Sequence, residues 1–117
     1  MSAAAEALLR RAYEAFNARD VDAVLALMHP DVDWPNAFEG GRVRGHEQVR
    51  AYWARQFEQI APTVEPVAFT QRDGGRVAVR VHQVVRSPAG DVLSDGEVVH
   101  VYALRDGLVE RMDVEAG

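Results

Sequence analysis

The stretch Arg76-Val77-Ala78-Val79-Arg80-Val81-His82-Gln83-Val84-Val85-Arg86 decides the fold. Valine returns at every second position through its first half, which is the period of a strand and not of a helix. Ser87-Pro88-Ala89-Gly90-Asp91 then turns the chain into a second long strand over 92–104, with a bulge expected at Gly96. Arg105-Asp106-Gly107 is a tight-turn signal, and 108–114 reads as the last strand. On the upstream side, 64–72 is strand-like and reaches Arg76 through the hairpin signal Asp73-Gly74-Gly75. The C-terminal half is therefore four hairpin-connected strands.

The N-terminal half changes period. Leu8, Leu9, Ala12, Tyr13 and Phe16 recur at helical spacing behind Ser2, a good N-cap, and Asn17-Ala18-Arg19 closes that helix. Asp20 caps a second helix with Val21, Val24, Leu25 and Met28 as its apolar stripe, and Pro30 is expected to stop it. Residues 31–34, before Pro35, suit a brief edge strand. Residues 36–45 read as a loop. A third helix carries Val49, Tyr52, Trp53, Phe57 and Ile60 on one face, with Pro62 as its end. Helices followed by hairpin-linked strands give an α+β fold: three N-terminal helices on a strongly curved, mostly antiparallel sheet, a cone-like barrel, as one domain over 1–117.

Composition excludes several chemistries. The 117 residues carry a net charge of −5, with thirteen basic and eighteen acidic side chains, so a nucleic-acid partner is not expected. Cysteine is absent, and every basic residue is arginine. Thiolate nucleophiles, cysteine-based zinc sites and Schiff-base lysines are ruled out together. Ser2, Ser87 and Ser94 stand in no nucleophile-elbow context. No apolar run reaches membrane-spanning length and the N-terminus lacks a basic leader. The expectation is a soluble cytoplasmic protein with no membrane partner.

Aromatic side chains gather where helices and sheet would meet: Tyr13, Phe16, Trp34, Phe38, Tyr52, Trp53, Phe57 and Tyr102. Such a stripe either fills a core or lines a cavity. Polar groups within otherwise apolar strands, at His82, His100 and Asp113, point to a cavity. His82 lies on the outer face if Val77, Val79 and Val81 face the helices. His82, His100 and Asp113 have the composition of a two-histidine-one-carboxylate metal set, but their spacing adds no support and no metal is expected. Arg42, Arg44, Arg50 and Arg55 read either as solvated charge or as attraction for an anion.

Several segments resemble the nuclear transport factor 2-like fold and its SnoaL-like branch, which includes ketosteroid isomerases and polyketide cyclases. Ala15-Phe16-Asn17-Ala18-Arg19-Asp20-Val21-Asp22-Ala23-Val24 resembles the first helical hairpin, and His29-Pro30-Asp31-Val32-Asp33-Trp34 the approach to the first strand. Gly45-His46-Glu47-Gln48-Val49-Arg50-Ala51-Tyr52-Trp53 resembles the start of the third helix. Arg105-Asp106-Gly107-Leu108-Val109-Glu110-Arg111-Met112-Asp113-Val114 resembles the last hairpin. In ketosteroid isomerases an Asp base faces an oxyanion hole made of a Tyr and a protonated Asp. Those positions fall here on Asn36, Ala12 and His100, so isomerase activity by those residues is not implied.

The resemblance implies a small-molecule enzyme working by general acid/base chemistry on a hydrophobic substrate without a cofactor. His100 would transfer the proton, Asp113 would orient it or act as base, and Asn36 would hold a substrate oxygen. Tyr13, Phe16, Trp34, Trp53, Phe57, His82, Tyr102 and Met112 would contact the substrate. The alternative is a non-catalytic module that binds a small hydrophobic ligand or a protein partner in the same cavity. Valine-rich strands offer more apolar surface than three helices cover on one side, so a homodimer through the outer sheet face is expected.

Overall fold

The computed structural model describes residues 2–37 and 39–117; Phe38, one of the clustered aromatics, lies outside them. Helix α1 spans Ala3–Asn17 and α2 spans Val21–Ala26. Ser2 Oγ accepts from the Ala5 N–H and Asp20 Oδ1 from the Ala23 N–H, so both helices start on side-chain caps. Leu8, Leu9 and Tyr13 form the buried stripe of α1.

Strand β1, Met28–Pro35, begins earlier than expected. Met28 is not the end of the α2 stripe, because it pairs with Val109 of the last strand. Pro30 falls where the register of that pairing slips, between Met28 and Asp33, so its missing N–H interrupts a strand and not a helix. Strand β2, Arg42–Arg44, lies inside the segment read as a loop; three residues are too few to show a period, and only Val43 is buried. It pairs antiparallel with Asp33, Trp34 and Pro35, so β1 is interior to the sheet and not an edge. Helix α3, Gly45–Gln59, starts at Gly45, whose φ of +78° suits glycine.

Pro62 does not terminate α3. It lies within β3, Ala61–Gln71, and the chain turns extended one residue earlier, at Ile60. β3 is the far edge of the sheet, where residues without an N–H are accommodated. Its free edge is partly occupied: Asn17 Nδ2 donates to the Val64 carbonyl (2.7 Å) and Asn17 Oδ1 accepts from the Val64 N–H (2.9 Å). The end of α1 is thereby stitched to β3.

β4 (Val77–Arg86), β5 (Val92–Arg105) and β6 (Leu108–Ala116) complete one six-stranded sheet in the order β2-β1-β6-β5-β4-β3. All pairings are antiparallel except β1 with β6. The sheet curls around the helices without closing, so the cone is not a complete barrel. Gly96 sits in regular register opposite Gln83; the irregularities fall at Pro66/Ala68, Val85/Arg86 and Ala103/Leu104 instead.

Val77, Val79, Val81, Tyr102, Val109 and Met112 turn inward onto Leu9, Val49, Tyr52 and Trp53. The opposite face is charged. Arg72 meets Glu115 at 2.8 Å, Arg80 meets Glu97 at 3.5 Å and His82 meets Asp95 at 2.6 Å. Val77, Val79 and Val81 are used inside the cone, whereas Val99 and Val101 share the outer face with these ion pairs, in register with Glu115 and Asp113. Among the described residues, no helix is long and apolar enough to cross a membrane.

Candidate ligand cavity

A cavity of about 60 Å³ lies between α1, α2, α3 and the inner face of the sheet. Tyr13, Phe16, Trp34, Trp53, His100 and Tyr102 line it, with Val24, Leu27, Met28, Val64 and Val109 among its aliphatic walls. The aromatic wall is built of mutually tilted rings. Trp53 meets Phe16 with centroids 5.5 Å apart and Trp34 at 5.6 Å, both near edge-to-face. Helical spacing puts Tyr13 and Phe16 on one side of α1, and strand parity puts His100 and Tyr102 side by side on β5.

Three polar groups interrupt this apolar surface, and they are linked. Tyr102 Oη donates to Tyr13 Oη at 2.8 Å, and Tyr13 Oη lies 2.9 Å from His100 Nδ1. The Tyr13 and His100 rings are nearly parallel, with centroids 6.0 Å apart. Burial disfavours every charged form here. It pushes the His100 imidazole down to about 4, so the ring is neutral at pH 7. It pushes both phenols well above the ordinary tyrosine range, Tyr13 further still because Tyr102 is beside it. Among the described residues no carboxylate or guanidinium lines the cavity.

The expected pairing of His100 with Asp113 does not form. β5 and β6 set His100 opposite Val114 and Asp113 opposite Val101. One residue of register puts Asp113 on the outer face. There Arg111 grips it with two nitrogens, at 2.8 and 3.0 Å, and Arg42 adds a contact at 3.1 Å. The hydrogen bonds from Arg111 hold the Asp113 carboxyl below its usual range. Asn36 is also away from the cavity. It is buried at the β1–β2 turn, with Oδ1 accepting from the Glu39 N–H (2.9 Å) and Nδ2 donating to Glu39 Oε1 (3.0 Å). His82 stands on the outer face with Asp95, which raises its pKa through their hydrogen bond. Phe57 supports the wall from behind, packed on Phe16 at 5.5 Å, and Met112 is a buried core residue opposite Tyr102 on β6. Tyr13, Phe16, Trp34, Trp53, His100 and Tyr102 are brought together at the cavity.

The four arginines are not a free cationic patch. Arg42 and Arg44 reach Asp33, Arg50 reaches Asp22 at 2.6 Å and Arg55 reaches Glu39 at 3.0 Å. His82, His100 and Asp113 do not converge, and no cluster of three metal-ligating side chains is present among the described residues. Sequence reasoning missed Asp33, whose side chain is only 12% exposed and is met by Arg42, Arg44 and Arg111. Its one signal is alternation, since Asp33 stands between the inward residues Val32 and Trp34. It also missed the link between the Tyr13 hydroxyl and His100, which lie 87 positions apart in the chain.

No curated protein matches this sequence. Among solved structures, an NTF2-like protein of unknown function from Burkholderia pseudomallei is 28% identical, with a TM-score of 0.85 over 100% of this chain and 92% of that one. TerC, co-crystallized with polyporic acid, is 27% identical, with a TM-score of 0.85 over 98% of this chain and 92% of that one. RV0760c from Mycobacterium tuberculosis, in complex with estradiol-17beta-hemisuccinate, shares the fold at 20% identity, with a TM-score of 0.81 over 97% and 93%. Residues 9–112 match the SnoaL-like domain. With the helix-covered, curled sheet and its internal cavity, that match makes this chain a member of the SnoaL-like domain family.

Proposed function

We propose that the chain binds a small, largely apolar molecule in the cone and acts on it by cofactor-independent chemistry of the isomerase or cyclase type. One observation carries the reading: the Tyr102–Tyr13–His100 chain of hydrogen bonds ends on an otherwise apolar cavity. An imidazole held near pKa 4 is a weak base at neutral pH. As a fixed, uncharged hydrogen-bonding group in a water-poor site it stabilises an oxygen that gains negative charge along the reaction. His100 therefore stands at the reacting centre, Tyr13 and Tyr102 support it, and Trp34, Trp53 and Phe16 hold the apolar body of the molecule. The small ligands bound by TerC and RV0760c support the same use of the cone.

The absence of any carboxylate from the described cavity lining favours a second reading, a binding module without turnover. Native mass spectrometry of the purified protein tests both. A bound small molecule is expected, and its conversion by wild type but not by His100→Phe establishes the enzyme; a ligand returned unchanged establishes the binding module. An empty protein that takes up no apolar compound overturns both readings. Self-association is proposed through the outer sheet face, with cross-strand ion pairs at its surface. A monomer in sedimentation at micromolar concentration overturns it.

A further inference from the structure

The hydrogens of the Tyr102–Tyr13–His100 chain can be placed by accounting. A hydroxyl has one hydrogen, and a neutral imidazole has one N–H. Three arrangements fill both gaps, because a hydroxyl oxygen can accept twice. In the first, Tyr102 donates to Tyr13, Tyr13 donates to His100 Nδ1, and the imidazole hydrogen sits on Nε2. In the second, Nδ1–H donates to Tyr13, Tyr13 donates to Tyr102, and the Tyr102 hydrogen has no acceptor; in the third, Tyr102 and Nδ1–H both donate to Tyr13, whose own hydrogen has no acceptor. Tyr102 is only 3% exposed, and its hydroxyl has no other partner among the described residues. The first arrangement leaves one polar site without a partner, the Nε2 hydrogen, whereas each of the others leaves two, a buried phenol hydrogen and the bare Nε2 acceptor, so the first prevails. It leaves one hydrogen of the chain unspent, on Nε2 of a ring that lines the cavity.

Resting on the small-molecule reading above, we infer that Tyr13, held in turn by Tyr102, is a positioning residue that fixes His100 as the Nε2–H tautomer, so that the cavity selects an uncharged apolar molecule bearing a carbonyl oxygen. The ring packing keeps this orientation. Tyr13 lies nearly parallel to His100 at an interplanar angle of 12°, and Tyr102 stands across both rings, at 89° and 80°. A cationic ligand would meet a donor where it needs an acceptor. A carboxylate would be stripped of water against apolar walls with one neutral donor in exchange. A ketone or aldehyde needs one donor for its oxygen and apolar contact elsewhere.

Histidine-selective nitrogen-15 NMR on the whole protein reads the tautomer directly. In wild type at neutral pH the proton is expected on Nε2; a proton on Nδ1 overturns the assignment without any variant. In Tyr13→Phe both tautomers should appear, and an unchanged spectrum removes Tyr13 from its positioning role. Binding is read in the same samples with cyclohex-2-enone, cyclohexene and cyclohexylammonium. The ketone should bind wild type roughly tenfold more tightly than the hydrocarbon, the advantage of one hydrogen bond, and that margin should narrow in Tyr13→Phe in proportion to the Nε2–H tautomer that remains. Equal binding of ketone and hydrocarbon overturns the carbonyl selection while the cavity still binds small molecules. Binding of neither overturns the small-molecule reading, and carbonyl selection with it.

Discussion

His100 and His82 lie on adjacent strands of one sheet and meet opposite environments. His100 faces inward, has tyrosines as its polar neighbours, and is pushed down to about 4 by burial. His82 faces outward, lies 2.6 Å from Asp95, and is pushed up by that hydrogen bond. The inner face holds its ionisable groups neutral, whereas the outer face pairs charge with charge. Position along the strand, odd or even, decides which regime a residue enters. A catalytic or binding role for a histidine in such a sheet is therefore a question of parity before it is one of chemistry.

The largest break in this contrast should come from emptying the inner face. Trp53 is 2% exposed and packs on Phe16 and Trp34. Trp53→Ala is expected to destabilise the fold by about 3–5 kcal/mol in urea denaturation. Arg80→Ala, which removes an exposed ion pair from the outer face, should stay within about 0.5 kcal/mol. Equal losses would erase the distinction between the faces.

Acid should separate the faces next. The unfolded chain takes up a proton on His100 near its ordinary pKa of 6.5, but the folded chain does so only near 4. Between those values the unfolded state binds more protons, so stability falls as pH drops through this window and is fully present above it. The loss is about 3 kcal/mol at most, and His100→Gln should flatten it. The His82 pair has the opposite sign: its contribution is present below the ordinary histidine pKa and lost as pH rises through the raised one. Denaturation midpoints measured from about pH 9 to about pH 4 in wild type, His100→Gln and His82→Gln resolve the two slopes.

The smallest effect tests whether the faces communicate. Asp113→Asn removes an exposed partner of Arg111 and Arg42, so its cost should be below about 1 kcal/mol. It should leave the His100 titration where it is. A fall in the His100 pKa in this variant would show that Asp113 acts through the sheet after all.

Long periodic segments were legible in the sequence. The alternation of Val77, Val79 and Val81 and the helical stripe of Leu9 and Tyr13 each named their buried face. The short strand Arg42–Arg44 was not legible, because tertiary pairing with Asp33, Trp34 and Pro35 makes it a strand. Pro30 and Pro62 were read as helix stops because their local effect is the same in a helix and at an irregular or edge strand position. At the cavity, side-chain type and face identified Tyr13, Trp34, Trp53, His100 and Tyr102 as neighbours. Asp113 went astray because the register across the Arg105-Asp106-Gly107 turn slips at Ala103/Leu104, and sequence does not display that slip. Asn36 was carried over by resemblance, and here its polar atoms hold a turn.

The parallel pairing of β1 with β6 has a consequence for how the molecule is made. As a strand, β1 pairs with the three-residue β2 and with β6, whose first paired residue, Val109, lies some eighty positions after Met28. Strands β3 to β6 are joined in sequence and can zip by short-range contacts as a meander. The N-terminal third has no such partner until the last strand has left the ribosome. Closing that long loop is the slow, entropically costly event, so this chain should fold from its C-terminal hairpins backward, with β1 docking last. Shortening the chain before residue 108 would then remove more than one strand: it would leave β1, and β2 that pairs with it, without the edge on which they dock.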